Sequence, residues 1–131
     1  MIACSADESG QILTTSYGRR VGPADMRKGL DDLRGLIPRM KPGFTLFSDL
    51  THLEAMDPDC AADLGEVMTL LSEAGMANVV RVFPDPTKDI GFNIISAFHF
   101  HQPVKIHTHE NLAEGLKRLL LIEAAAPVSA D

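Results

Sequence analysis

The first third of the chain alternates apolar and polar residues in a way that predicts a β-hairpin followed by a helix. Residues 7–10 (DESG) are turn formers between two short β-prone pieces, and the second piece covers about residues 12–17. Gly22 can cap a helix, Pro23 suits its first position, and Asp25 falls in its first turn. Apolar residues then recur at helical spacing. The buried stripe of this helix is expected to consist of Met26, Leu30, Leu33 and Ile37.

The middle of the chain predicts two buried strands separated by a capped helix. Residues 44–50 (FTLFSDL) are short, apolar and aromatic, which is typical of a strand buried on both faces. After a loop, Asp57 is expected to cap a helix that Pro58 opens and Gly75 ends. Residues 78–83 (NVVRVF) form the next interior strand. The buried stripe of the helix is expected to consist of Ala61, Leu64, Met68 and Leu71.

The last third of the chain predicts a third capped helix, another strand and a final helix. In the segment PDPTKDIGFNIISAFHF, Asp85 or Thr87 is expected to cap a third helix. The segment VKIHTH alternates apolar and polar residues, which is typical of an edge strand with one solvent-exposed face. Thr108 is expected to cap the last helix. The inward-facing residues are expected to be Ile90, Ile94, Ala97 and Phe98 in the third helix, and Leu112, Leu116, Leu119 and Leu120 in the fourth.

The order of predicted elements is ββαβαβαβα, which indicates the fold class. Strands that alternate with helices of this length form an α/β sandwich with a mostly parallel sheet. We expect a mixed sheet of about five strands, in which the N-terminal hairpin supplies one antiparallel strand, and four helices. The 131 residues suffice for one domain with its own core. We expect this single domain to cover residues 1–123 and the tail, residues 124–131, to be disordered.

The composition indicates which classes of partner and which cell compartment to expect. The formal charge is −6 and the pI about 5.2, which argues against a broad phosphate-binding surface and so against nucleic acid. A basic protein partner fits an acidic face better. Cys4 and Cys60 stand alone without metal-finger spacing, so we expect no disulfide and a cytoplasmic location. No apolar run approaches the roughly 18 residues of a membrane span, and the N-terminus does not read as a signal peptide.

The element order and one internal segment resemble a known family. The segment FSDLTHLEAMDPDCAADLG reads as a strand, a loop and a capped helix. Regulators of the STAS superfamily carry their phosphorylation loop at this place, and VVRVFPDPTKDIGFNIISAFHF is also similar to SpoIIAA-like sequences. Over residues 1–123 the chain therefore resembles a STAS domain of the SpoIIAA-like (anti-sigma-factor-antagonist-like) group of small bacterial proteins. The resemblance implies a STAS/SpoIIAA-like sandwich and a non-enzymatic role in protein binding.

The chain departs from that family at the phosphorylation motif. Phosphorylated STAS regulators have Asp-Ser-Ser/Thr-Gly at the start of this helix, and here the stretch reads Asp57-Pro58-Asp59-Cys60. Asp59 therefore aligns with the serine that accepts phosphate, so the resemblance does not imply a kinase-driven cycle at this loop. Two interpretations of Asp59 stay open. It is either a favourable charge at a helix start, or a fixed negative charge where relatives switch one on.

Several polar residues are predicted to meet at the carboxyl ends of the strands, where open parallel sheets bind ligands. Arg81 is a charge inside an otherwise apolar strand, and Asp49 on the neighbouring strand is a candidate partner for it. The pair could be structural, or Arg81 could bind an anion. With the start of the second helix included, the candidate partner- or ligand-binding residues are Asp49, Thr51, Asp57, Asp59, Arg81, Asp85 and Lys88, and His52 lies in the same region.

Four of the five histidines cluster near the C-terminus, and a metal site is a weak alternative for them. His99 and His101 point apart if they lie on a helix, and His107 and His109 share a face only if a strand runs through Thr108. We therefore expect scaffold histidines, no metal and no cofactor. Nucleophile elbow, Walker loop, GxGxxG, HExxH and CxxC motifs are all missing from the sequence, so we do not expect an enzyme.

Three functional hypotheses follow from the sequence. The preferred one is a protein-binding regulatory module that acts through the start of the second helix. An alternative is a carrier of a small apolar ligand between the later helices and the sheet, and the weakest is a histidine-based metal-binding protein. A homodimer through an exposed helix face is compatible with the sequence. The carrier hypothesis rests on Phe92, Ile95, Phe98 and Phe100, which exceed what one helix face needs for packing.

Overall fold

The computed structural model describes residues 1–83, 89–90 and 104–125. This part of the chain forms one mixed sheet with three α-helices, and two short 3-10 turns cover Ile37–Arg39 and Pro58–Cys60. The strands are β1 (Ile2–Ala6), β2 (Ile12–Val21), β3 (Thr45–Met56), β4 (Asn78–Val82), β5 (Asp89–Ile90) and β6 (Lys105–His109), and the helices are α1 (Pro23–Leu36), α2 (Ala61–Glu73) and α3 (Leu112–Ala125).

The sheet is mixed and mostly parallel, as predicted. Its strand order is β1-β2-β3-β4-β6, and the short β5 pairs with the far end of β3. The hairpin of β1 and β2 is antiparallel, with Ile2 opposite Tyr17, and all other pairings in the described part are parallel. Parallel neighbours require crossover connections, which α1 and α2 supply between β2, β3 and β4. The predicted α/β architecture with a mostly parallel sheet is confirmed.

The main core lies between one face of the sheet and helices α1 and α2. Leu13, Leu46 and Val79 are level with one another on β2, β3 and β4, and each is at most 2% exposed. Met26 of α1 and Leu64 of α2 belong to the same buried cluster. The predicted stripes of both helices are confirmed for their central residues, since Leu30, Leu33, Met68 and Leu71 are buried as well.

Helix α3 covers the opposite face of the sheet, and it does so with a different side from the one predicted. Gly115 is its buried residue, and Leu119 and Ile122 pack against a second core cluster. The prediction that Leu112, Leu116 and Leu120 face inward is wrong, because these side chains are 40%, 43% and 69% exposed. The helix carries apolar residues on more than one side, so the spacing of its apolar residues does not determine which side is buried. The second core cluster consists of Phe47, Val80 and Val82.

Two leucines one position apart test this orientation of α3. We expect Leu119→Ala to lower the free energy of unfolding by roughly 1–2 kcal/mol, because it removes apolar area that is partly buried. The matched change Leu120→Ala should cost less than about 0.5 kcal/mol, because that side chain is already in solvent. Urea unfolding followed by circular dichroism measures both. A larger loss for Leu120→Ala than for Leu119→Ala would contradict the orientation.

Two predicted boundaries are wrong, each because long-range strand pairing overrides a local signal. Strand β3 does not end at residue 50 but runs to Met56, because Val21 of β2 and Ile90 of β5 extend its pairing. Thr108 lies within β6, which pairs with β4, so it does not cap the last helix. Asn111 does so, since its Oδ1 accepts a hydrogen bond from the backbone N–H of Glu114 at 2.9 Å.

The predicted third helix falls mostly outside the described residues. Ile90, expected on its packed side, lies in β5 and not in a helix. Its other predicted residues lie outside the described part of the chain, as do the aromatic residues on which the carrier hypothesis rests and the tail from residue 126 onwards. None of the three described helices combines the length and apolar character that crossing a bilayer requires.

Candidate functional site

The turn after β3 is built by Asp57, as the sequence predicts. The Asp57 carboxylate accepts a hydrogen bond from the backbone N–H of Asp59 at 2.8 Å, and the Asp57 carbonyl accepts one from the N–H of Cys60 at 2.9 Å. Pro58 sits at the first position of a 3-10 turn, which leads directly into α2. Asp59 lies within that turn and is exposed. The structure therefore places Asp59 at a helical start, although the first turn is 3-10 and not α-helical.

The negative charges of four carboxylates act on the thiol of Cys60. Cys60 is fully buried, and its pKa is raised to about 11, first by burial and then by the nearby negative charges of Asp57, Asp63, Asp25 and Asp59. The thiol is therefore protonated at neutral pH and is a poor nucleophile. We call Asp25, Asp57, Asp59 and Asp63 the acidic cluster.

Half of the acidic cluster was not among the predicted site residues. Asp25 belongs to the first turn of α1, where its carboxylate accepts a hydrogen bond from the backbone N–H of Gly22 at 2.9 Å. Asp63 lies in the first turn of α2. Both helices begin at the carboxyl edge of a parallel sheet, so their first turns come close together. An acidic residue in the first turn of each helix is the sequence signal that could have identified the cluster.

The remaining residues of the carboxyl edge lie on β3 and β2. The Asp49 carboxylate accepts hydrogen bonds from the backbone N–H of Thr51, at 3.0 Å, and from its hydroxyl. Thr51 and His52, predicted to follow the strand, lie within β3 and line a cavity of about 940 Å³. Arg19 and Arg20 of β2 line the same cavity, and sequence reasoning did not single them out. This end of the sheet carries charges of both signs.

Arg81 does not pair with Asp49. It lies next to Val82 in β4, and Val82 is the residue level with Asp49. Because successive side chains of a strand point to opposite faces, Arg81 and Asp49 lie on different sides of the sheet. The Arg81 Nε–H donates to the Thr108 hydroxyl at 2.9 Å, and burial lowers the pKa of its guanidinium. The predicted ion pair is not among the contacts of the described residues.

The two histidines of β6 share one face of the sheet with α3. His107 and His109 are level with Val80 and Val82, which belong to the core under α3. Burial lowers the pKa of His107, and the positive charges of Arg118, His109 and Lys105 add to this effect. No group of three or more His, Cys, Asp or Glu side chains within residues 1–83, 89–90 and 104–125 is placed to hold a metal ion.

Four of the predicted site residues cannot be placed. Asp85 and Lys88 follow β4, and His99 and His101 precede β6, and all four lie outside the described residues. The candidate site of the described part is therefore the acidic cluster at the turn between β3 and α2.

Comparison with solved structures identifies the fold. The chain is similar to an uncharacterized protein of the DUF3478 family with a SpoIIAA-like fold from Shewanella loihica PV-4, with a TM-score of 0.63 at 15% identity, over 90% of this chain and 93% of that one. It is also similar to the anti-sigma factor antagonist SpoIIAA in its unphosphorylated form, with a TM-score of 0.63 at 10% identity, over 92% of this chain and 98% of that one. Neither a family model nor a curated protein matches the sequence. The predicted SpoIIAA-like fold is confirmed.

Proposed function

We propose that this chain is a non-enzymatic regulatory module that binds a protein partner, and that the acidic cluster at the start of α2 is its binding surface. The observation that carries the proposal is the turn at residues 57–60. In a fold similar to that of an anti-sigma factor antagonist, it presents two exposed carboxylates. The sequence resemblance implies that related regulators carry a phosphorylatable serine at this place. A basic surface on the partner is the complement to this cluster.

The local geometry supports a surface that is fixed before the partner arrives. Asp57 is held by its own capping hydrogen bond to the Asp59 N–H, and its backbone N–H donates to the Val21 carbonyl of β2 at 2.9 Å. Binding then requires little ordering of the backbone, so less of the interaction free energy is lost on association. The buried, protonated thiol of Cys60 offers no competing nucleophilic chemistry at this place.

A pair of charge-neutralising variants tests the proposal. We expect the full-length protein to retain a specific partner from a lysate of its native cells, and the double variant Asp57→Asn/Asp59→Asn to lose it. With the purified partner, the affinity should fall roughly tenfold, which corresponds to 1.4 kcal/mol, and it should weaken with added salt. The matched control is Asp31→Asn/Asp32→Asn, which removes two exposed carboxylates from α1. Equal retention by both double variants would refute the assigned surface.

The single variant Asp59→Ser separates the two interpretations of Asp59. If Asp59 acts as a fixed negative charge, the variant loses affinity for the purified partner while its thermal stability stays nearly constant. If Asp59 only stabilises a helical start, the variant loses about 0.3–1 kcal/mol of stability and keeps its affinity. Isothermal titration and thermal unfolding of the same samples distinguish these outcomes.

A further inference from the structure

A second cleft lies at the amino edge of the sheet, at the opposite ends of the strands from the acidic cluster. Its cavity is about 720 Å³, within the range of about 300–1,000 Å³ that is usual for small-molecule sites. The residues at the starts of the parallel strands form one wall, represented by Gln11, Thr45, Asn78 and Lys105. The C-terminal half of α3 forms the other wall.

The cleft is positively charged in a negatively charged protein. Lys41, Lys105 and Arg118 line it together with one carboxylate, Glu123, whereas the whole chain carries −6. None of the ion pairs formed between described residues includes these three cations. His107 lines the same cleft, and burial together with the neighbouring cations lowers its pKa. The local potential therefore favours an anion.

Arg118 provides a donor without an acceptor. Its Nε is buried, and no described residue accepts a hydrogen bond from it. A buried donor without a partner costs about 1–3 kcal/mol, so a shift of the Arg118 side chain that let a ligand oxygen accept from Nε would be stabilising. The carbonyls at the end of α3 favour nearby cations, and this effect falls off within the last turn. It does not account for Arg118, which lies in the middle of α3 with its Nε out of contact with solvent.

The apolar residues that line the cleft indicate that a bound anion would also carry an apolar part. Leu121, which is 62% exposed, and the partly buried Ile122 line the cleft. We propose that this cleft binds a small amphipathic anion, with its carboxylate or phosphate head at Arg118 and its hydrocarbon chain along Leu121 and Ile122. A guanidinium binds either head group through a pair of parallel hydrogen bonds. The site is separate from the acidic cluster and does not depend on its function.

Calorimetric titration of the full-length protein with three matched probes tests the site. Decanoate and decyl phosphate supply the two head groups, and decanol has the same chain without charge. We expect saturable binding of at least one anion and about tenfold weaker binding of decanol. Tighter binding of decanoate assigns a carboxylate head, and tighter binding of decyl phosphate assigns a phosphate head.

Substitutions then locate the binding. Arg118→Gln should weaken the preferred anion about tenfold or more, and Lys105→Gln, a change at an exposed position, should weaken it about threefold. Arg27→Gln removes an exposed cation from α1, which packs on the other face of the sheet, and should leave the affinity unchanged. Thermal unfolding of each variant checks that it is folded. Absence of saturable binding, or equal affinity of the Arg118, Lys105 and Arg27 variants, would overturn the proposal.

Discussion

Replacing Gly115 by leucine is expected to lower the free energy of unfolding by about 1–3 kcal/mol, the usual cost of overpacking. A Cβ at this position would lie 2.6 Å from Val82 Cγ2 and 3.5 Å from Phe47 Cε2. Val82 is fully buried and branched at Cβ, so it has little freedom to move away. Helix α3 must therefore shift away from β4, which exposes part of the second core cluster.

A matched glycine isolates this packing effect from helix propensity. Gly65 lies in α2, and a Cβ built there meets nothing within 4 Å. Gly65→Leu should stabilise the protein by up to about 1 kcal/mol, because leucine is a far better helix former than glycine. Both variants are measured by urea unfolding. A similar change in stability for Gly65→Leu and Gly115→Leu would show that α3 does not approach the sheet through Gly115.

Signals that are local in sequence were sufficient to predict much of the fold. The turn at residues 7–10, the first-turn residue Asp25 and the capping residue Asp57 act within a few residues of their own position, and each lies in the predicted element. The buried stripes of α1 and α2 are also set locally. Apolar residues at helical spacing, with polar residues between them, define a single face of the helix that can be buried. From these elements, the alternation of strands and helices determines the class of fold.

The errors lie where the outcome depends on residues far apart in the chain. Thr108 is a good capping residue, but its segment gains more from parallel pairing with β4. In α3, four consecutive apolar residues, 119–122, leave the buried side undetermined, and the close approach of Gly115 to Val82 decides it. The candidate sites show the same difference between local signals and long-range contacts. Asp57 was predicted from its local motif, whereas Asp25 and Arg118 are brought to their sites only by tertiary packing.

Alkaline pH is expected to unfold this protein through two buried groups that cannot ionise in place. Tyr17 is 3% exposed and Cys60 is fully buried. Burial, as the main cause, raises the pKa of Tyr17 from 10 to about 12 and the pKa of Cys60 from 9 to about 11. The hydroxyls of Thr15 and Ser48, which are hydrogen-bonded to each other at 3.3 Å, lower the pKa of Tyr17 and offset only part of this rise.

The sign of the effect follows from the two raised pKa values. Below about pH 9 both groups are protonated in the folded and the unfolded chain, so they cause no change in stability with pH. Above that pH the unfolded chain releases protons that the folded chain still holds, and stability falls until about pH 12. Each pKa is raised by about two units, which corresponds to roughly 3 kcal/mol, so the two groups together can remove much of the 5–15 kcal/mol that is typical of a domain.

The chain contains one tyrosine, so its ionisation reports on this event directly. Ultraviolet absorbance of tyrosinate should appear in the same pH interval in which circular dichroism at helical wavelengths is lost. Cys60→Ala should reduce the dependence of stability on pH that begins near pH 9. It should leave the part from Cys4, whose pKa burial also raises to about 11, and the part that Tyr17 contributes above about pH 10. Tyrosinate that forms near pH 10 while the circular dichroism is unchanged would show that Tyr17 is not buried in the core. Buried ionisable groups would then not determine the alkaline limit of the fold.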